Sequence, residues 1–322
     1  MHSWPLGRME LATQEHSMTA PSTTRIMAHP AIDSALRHAR EAGWRGLAPV
    51  GATAAVFLIL FWEPMVTLGR DWWSDPEAGH GLLLGPLAVY LAWKRGLVSD
   101  RHAQPVLGLS LLIAAILLRY LSGMAAELFT LRMSFLGAAG ALIIFSAGTR
   151  QLLHWWLPAA LLLLSVPIPT VLLNTLALPL QLKASAMGAA LLEMRNVPVL
   201  LAGNVIHLPG QSLFVTEACS GLRSITALLA LGVLVGGMWL RTPWSRVLLV
   251  AAAIPIAMVL NGIRVFLTGF FVYYVDPKLG EGFMHYTEGW ALFVVAFAIL
   301  GAFSWLLLET ETLVKRFRVR AA

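Results

Sequence analysis

A chain of 322 residues with 58% hydrophobic and only 12% charged residues has about half the charge density of a soluble domain, in which roughly a quarter of residues are charged. That excludes a soluble globular protein and indicates a polytopic membrane chain, with room for several spans of about 20 residues each. The net charge is +6, but the basic residues are scattered along the chain, which is the signature of membrane topology rather than of nucleic-acid binding.

The first 45 residues are polar and hold Arg8, Arg25, Arg37, Arg40 and Arg45 without the apolar stretch of a secretory signal. They read as a cytoplasmic arm, and the stretch 27–44 suits an amphipathic helix. Eight apolar runs follow, at about 46–69, 80–94, 105–124, 131–148, 153–173, 221–240, 245–272 and 288–308. The second is short and has to extend into its flanks. The expected fold is therefore an all-α polytopic membrane protein, a bundle of about eight transmembrane helices over residues 46–308, closed by a basic tail at 309–322. An even number of crossings puts both termini on one side. Tryptophans near the ends of runs, among them Trp72, Trp73, Trp93, Trp155, Trp156 and Trp244, fit an interfacial belt.

Charge sets the expected orientation. Fifteen of the 23 basic residues fall on the side of the termini, including Lys94, Arg95, Arg101, Arg150, Arg241, Arg246 and the tail. The other side carries most of the acids, from Asp71 and Asp75 to Glu281 and Glu288. The positive-inside rule makes both termini cytoplasmic. The connection 174–220 then lies outside. Pro179 interrupts its start, and 180–194, with Gln181, Lys183 and Ser185 on one side, reads as an interfacial or re-entrant helix. Short Val/Ile/Leu/Phe runs broken at Gly203-Asn204 and Pro209-Gly210 read as a small β-ribbon. The ribbon leads directly into Cys219, at the outer boundary near the first turn of span six.

Cys219 is the only cysteine, so no internal disulfide is available to it. A thiol beside a helix N-terminus or a cation becomes a usable nucleophile; the competing reading is an inert core thiol. Gly221 permits close approach of another backbone or a substrate, and Arg223 lies about one turn deeper. In "NGIRV" (261–265), Arg264 follows Arg246 by 18 residues, a helical rise of roughly 27 Å that returns it to the level of Cys219. Arg264 could simply snorkel to the headgroups, but Asn261, one turn earlier, favours a polar cluster. In "HYTEGW" (285–290), His285 is a candidate base for the thiol, against the plainer reading of an interfacial histidine. Glu217 reads as a partner of an arginine, since a bare carboxylate so close would raise the thiol pKa. The nine histidines show no HxxH or HxxxH pair, and CxxC, GxSxG and GxxxxGK[ST] are absent, so neither a metal nor another cofactor is expected.

"EACSGLRS", then "NGIRV", then a histidine just before "EGW" resembles the exosortase/archaeosortase family of membrane-embedded cysteine proteases and transpeptidases. The segment "DPEAGHGLLLGPLAVYLAWKR" (75–95) is similar to that family's early motif. The resemblance implies a Cys219–Arg264–His285 site facing outward: Cys219 the nucleophile, His285 the general acid/base, Arg264 the stabiliser of the oxyanion. It implies membrane-anchored substrate proteins with a tripartite C-terminal sorting signal of motif, helix and basic cluster, often tied to exopolysaccharide. An amine acceptor is implied for transpeptidation. Glu217, Arg223 and Asn261 are the expected supporting residues; for His80 and Asp75 a structural role is expected. A different class, a lipid-linked glycan carrier or transporter using Arg264 and Glu217 to hold an anionic headgroup, is the competing function. The scarcity of charge deep in the spans counts against it.

Overall fold

In hydrocarbon every backbone N–H and C=O has to be satisfied within the protein, so apolar runs of this length fold as helices. A computed structural model describes residues 30–75, 77–215, 221–276 and 283–321, with side chains outside 30–47, 170, 283–289 and 318–321. In chain order the elements are α1 (Pro30–Ser74), α2 (Gly81–Arg95), α3 (Pro105–Met124), α4 (Leu128–Ala147), α5 (Thr149–His154), α6 (Trp156–Leu164) and α7 (Thr170–Glu193). Strands β1 (Leu200–Ala202), β2 (Val205–Leu208) and β3 (Gln211–Phe214) follow, then α8 (Leu222–Trp239), α9 (Pro243–Tyr274) and α10 (Phe283–Ala321). By contacts the chain divides into Met1–Thr53 and Ala54–Ala322; the first unit holds the beginning of α1, and the second holds the rest of α1 and every later element.

Among the described residues seven helices are long and apolar enough to cross a membrane: residues Ala48–Ser74 of α1, α3, α4, Val171–Glu193 of α7, α8, α9 and Trp290–Phe317 of α10. The all-α polytopic architecture is therefore as expected, but three segments are not: the run 80–94 forms the 15-residue α2, which is not among the seven, and two others differ in kind. The run 153–173 does not form one span. It divides into α6 and the start of α7, separated by a non-helical stretch containing Pro167 and Pro169. Each proline removes a donor and disfavours the helical conformation of the residue before it. The stretch 180–194 is not a separate interfacial helix. It is the second half of the 24-residue α7, which carries Pro179 in its interior. One missing hydrogen bond is tolerated there because the apolar surroundings reward every remaining one.

Contacts fix the relative directions. Arg95 Nη1 donates to the His154 carbonyl (2.9 Å) and His80 Nε2 lies 3.1 Å from the Leu164 carbonyl, so α2 and α5–α6 run antiparallel. On α9, Val265 faces Gly188 and Gly269 faces Leu192, so α7 and α9 run parallel. Gly232 lies against Val250 and Gly236 against Arg246, the register of an α8–α9 hairpin. The Glu311 carboxylate of α10 accepts from Arg241 N (3.0 Å), Thr242 N (2.9 Å) and Thr242 Oγ1 (2.7 Å), which returns α10 to the α8–α9 turn.

The ribbon is an antiparallel sheet in the order β1-β2-β3, with Leu201 opposite Ile206 and Ile206 opposite Leu213. Its turns fall at Gly203 and Gly210, both at positive φ (+64° and +86°), which a residue without Cβ adopts at little cost. Val197, Ile206, Leu208 and Val215 share one core with Leu192 of α7 and with Val265 and Val272 of α9. The sheet is thus seated on the ends of α7 and α9. A second core joins α8, α9 and α10 through Leu228, Leu249, Leu260 and Leu300. A third joins α2, α6 and α8 through Ala88, Leu157, Leu161 and Ala230.

Candidate functional site

The end of the bundle that carries the sheet also carries the start of α8. Val215, 2% exposed, is the last described residue of the ribbon. Its N–H donates to the Asn204 carbonyl (2.9 Å), and its carbonyl accepts from Asn204 Nδ2 (3.1 Å). The chain is described again at Gly221, which precedes α8 in the left-handed conformation (φ +78°). Both sides of the 216–220 segment are therefore held.

Gly221 is pressed against Asn261 of α9. A Cβ at Gly221 would lie 2.8 Å from Asn261 Cγ and 2.9 Å from its Cβ, so only glycine fits both the backbone conformation and the gap. The close approach expected at Gly221 is thus made by an asparagine side chain. Asn261 is itself buried, at 6% exposure. It lines a cleft of about 10 Å³ with Lys183, Met187 and Met258, the lower limit for a single water. Gly262, the next residue, meets Met187 of α7. Arg264 is half-buried on the following turn, and its carbonyl accepts from Thr268 Oγ1 (3.0 Å). Asn261 and Arg264 are thus held on one stretch of α9, level with the α8 N-terminus.

Other expected residues stand differently. Arg223 is exposed on the first turn of α8, in contrast to buried Asn261. Cys219 and Glu217 lie outside the described residues; His285 is the third residue of α10, and its side chain lies outside them too. No group of three or more metal-binding side chains occurs among the described residues.

The early segment serves the broken helix. At the C-terminus of α6, where carbonyls lose their helical partners, His80 bonds the Leu164 carbonyl and Trp72 Nε1 donates to the Ser165 carbonyl (2.8 Å). Asp75 Oδ1 accepts from Glu77 N (2.8 Å) and so shapes the turn into α2. Trp72 also occupies the space beside Gly81 and Gly85. His80, Asp75 and Trp72 thus all make structural contacts around this break and the turn into α2. Sequence reasoning did not anticipate the part of Trp72, because the break it completes was read as a continuous span.

Comparison with known proteins gives one family. A family model described as transmembrane exosortase matches residues 72–302, more than two thirds of the chain. No curated protein matches, and no solved structure does.

Proposed function

The chain belongs to the transmembrane exosortase family, and on that premise we propose that it is a cysteine protease or transpeptidase acting on the extracytoplasmic side. Its substrates are exported proteins with a C-terminal sorting signal of motif, transmembrane helix and basic cluster. The observation that carries this reading is the packing of Gly221 on Asn261. Cys219 stands two residues before Gly221, so covalent geometry keeps its Cα within about 7 Å of that glycine. Arg264 stands one turn beyond Asn261 on the same helix. Nucleophile and cation are thus tethered to one point of contact between α8 and α9.

In this reading the Cys219 thiolate attacks the scissile carbonyl carbon. The carbonyl π electrons move to oxygen, where the Arg264 guanidinium offsets the developing charge. The C–N bond then breaks, His285 delivers a proton to the departing amine, and the acyl group remains on sulfur as a thioester. Water releases a carboxylate, or an acceptor amine releases a new amide, and the thiolate is restored. Asn261 holds the α8 N-terminus in place, and Glu217 pairs with an arginine.

Cys219→Ala should abolish processing of a tripartite-tailed protein co-expressed with this chain, read as retention of the longer form on a gel. Arg264→Ala should slow it by about 100-fold or more, the usual loss for an oxyanion donor. Normal processing by a folded Cys219→Ala protein would sink the proposal.

A further inference from the structure

Far from the sheet end, the α8–α9 turn holds a second polar feature that takes no part in this chemistry. Two guanidinium groups lie against the indole of Trp156. Arg246 Cζ is 5.0 Å from the ring centroid and Arg95 Cζ is 5.7 Å from it, both within cation–π range. Arg246 is held in place by Nε and Nη2, which donate to the Leu240 carbonyl (3.0 and 2.9 Å). Arg95 is held by Nη1 on the His154 carbonyl. Neither forms an ion pair with a carboxylate among the described residues. Two half-buried like charges on one ring repel, and an anion beside them offsets that repulsion.

Beside these arginines a groove of about 330 Å³ opens between α8 and α9, floored by Trp156 and lined by Leu229, Gly232, Val233, Val250 and Ile254. Its size is within the roughly 300–1,000 Å³ of small-molecule sites. Apart from Arg246 its walls are apolar, and both helices that form it are candidate membrane spans. Gly232 contributes to the opening by its lack of a side chain: a Cβ there would stand 3.5 Å from Val250 Cα.

We propose that this groove binds one anionic phospholipid, its phosphodiester held by Arg95 and Arg246 and one acyl chain laid along α8 and α9. An apolar slot with Arg246 in its wall, and Arg95 on the Trp156 ring that also lines it, matches an amphiphile with a negative head. Basic pockets between membrane helices select such headgroups. The site is independent of the Cys219 chemistry, and its failure would leave that reading untouched.

Native mass spectrometry of the detergent-purified full chain, offered phosphatidylglycerol or phosphatidylcholine with the same acyl chains, tests this directly. The wild-type chain should retain one phosphatidylglycerol and shed phosphatidylcholine. The R95Q/R246Q double variant should lose about 20- to 30-fold in retention, since each arginine is worth about fivefold. Ala251→Phe keeps both arginines and fills the groove from an exposed position in its lining. It should lose the lipid equally while melting as the wild type does. Equal retention of the two lipids, or unchanged binding by Ala251→Phe, would overturn the assignment. So would displacement by millimolar glycerol 3-phosphate, which has no chain and would mark a simple phosphate site.

Discussion

Gly221 is the residue on which the contact between the start of α8 and Asn261 depends. It combines a backbone conformation that costs an L-residue about 1–2 kcal/mol with a gap that a methyl group overfills, itself worth about 1–3 kcal/mol. Gly221→Ala should therefore cut processing sharply without removing any reactive group. Trimming the opposing side chain in Gly221→Ala/Asn261→Ala should recover part of the lost stability but leave the backbone cost. A double-mutant cycle on thermal melting measures that coupling; strict additivity would show that the contact does not matter. The "NGIRV" and "CSGLR" motifs were legible in the sequence because polar residues are rare in these spans. Which of them meet was not, since helical phase and burial decide it: Asn261 is buried and Arg223 exposed.

At the scale of elements, the α3–α4 turn shows how a span is started in a nearly uncharged chain. Glu127 caps α4, accepting from Thr130 Oγ1 (2.5 Å), Thr130 N (2.7 Å) and Phe129 N (3.0 Å). The Thr130 hydroxyl, followed by these backbone donors and nearby Arg132, holds the Glu127 carboxyl below its ordinary pKa. A lowered folded-state pKa stabilises the protein at pH values above the unfolded carboxylate value, about 4. The contribution is lost as pH falls through the lower folded value. Melting temperature should thus be flat near neutrality and fall only in acid, whereas Glu127→Gln should lower it by the loss of a cap, about 0.5–2 kcal/mol, and flatten the acid response. The α6–α7 break is the element least legible in advance. Hydropathy alone joined 153–173 into one run, while the prolines at 167 and 169 and the carbonyl partners Trp72 and His80 make the interruption stable.

For the whole molecule, a long-range ion pair ties the first helix to the fourth. Arg132 Nη2 lies 2.5 Å from Asp71 Oδ2, with the arginine side chain 4% exposed and the aspartate 28%. Removing the partly hydrated aspartate strands a buried cation, so Asp71→Ala should destabilise by about 3–5 kcal/mol. Arg132→Ala leaves an anion that water can reach, so its cost should be smaller. Comparing the two melting temperatures checks the order, and a reversed order would place the burial on the wrong partner. Orientation has its own test, because the chain has one thiol. A membrane-impermeant maleimide should label Cys219 in intact spheroplasts, and labelling only after lysis would invert the proposed topology. By itself the sequence determined the class of protein, its long helices, the ribbon with both of its glycine turns, and the family motifs, because each is written in local hydropathy, backbone preference and spacing. Only the tertiary structure decided that 153–173 breaks and 180–194 continues a helix, that Gly221 rests on Asn261, and that Arg95 and Arg246 both lie against Trp156. Those outcomes depend on which helix faces lie against one another, and packing between residues far apart in the chain sets them.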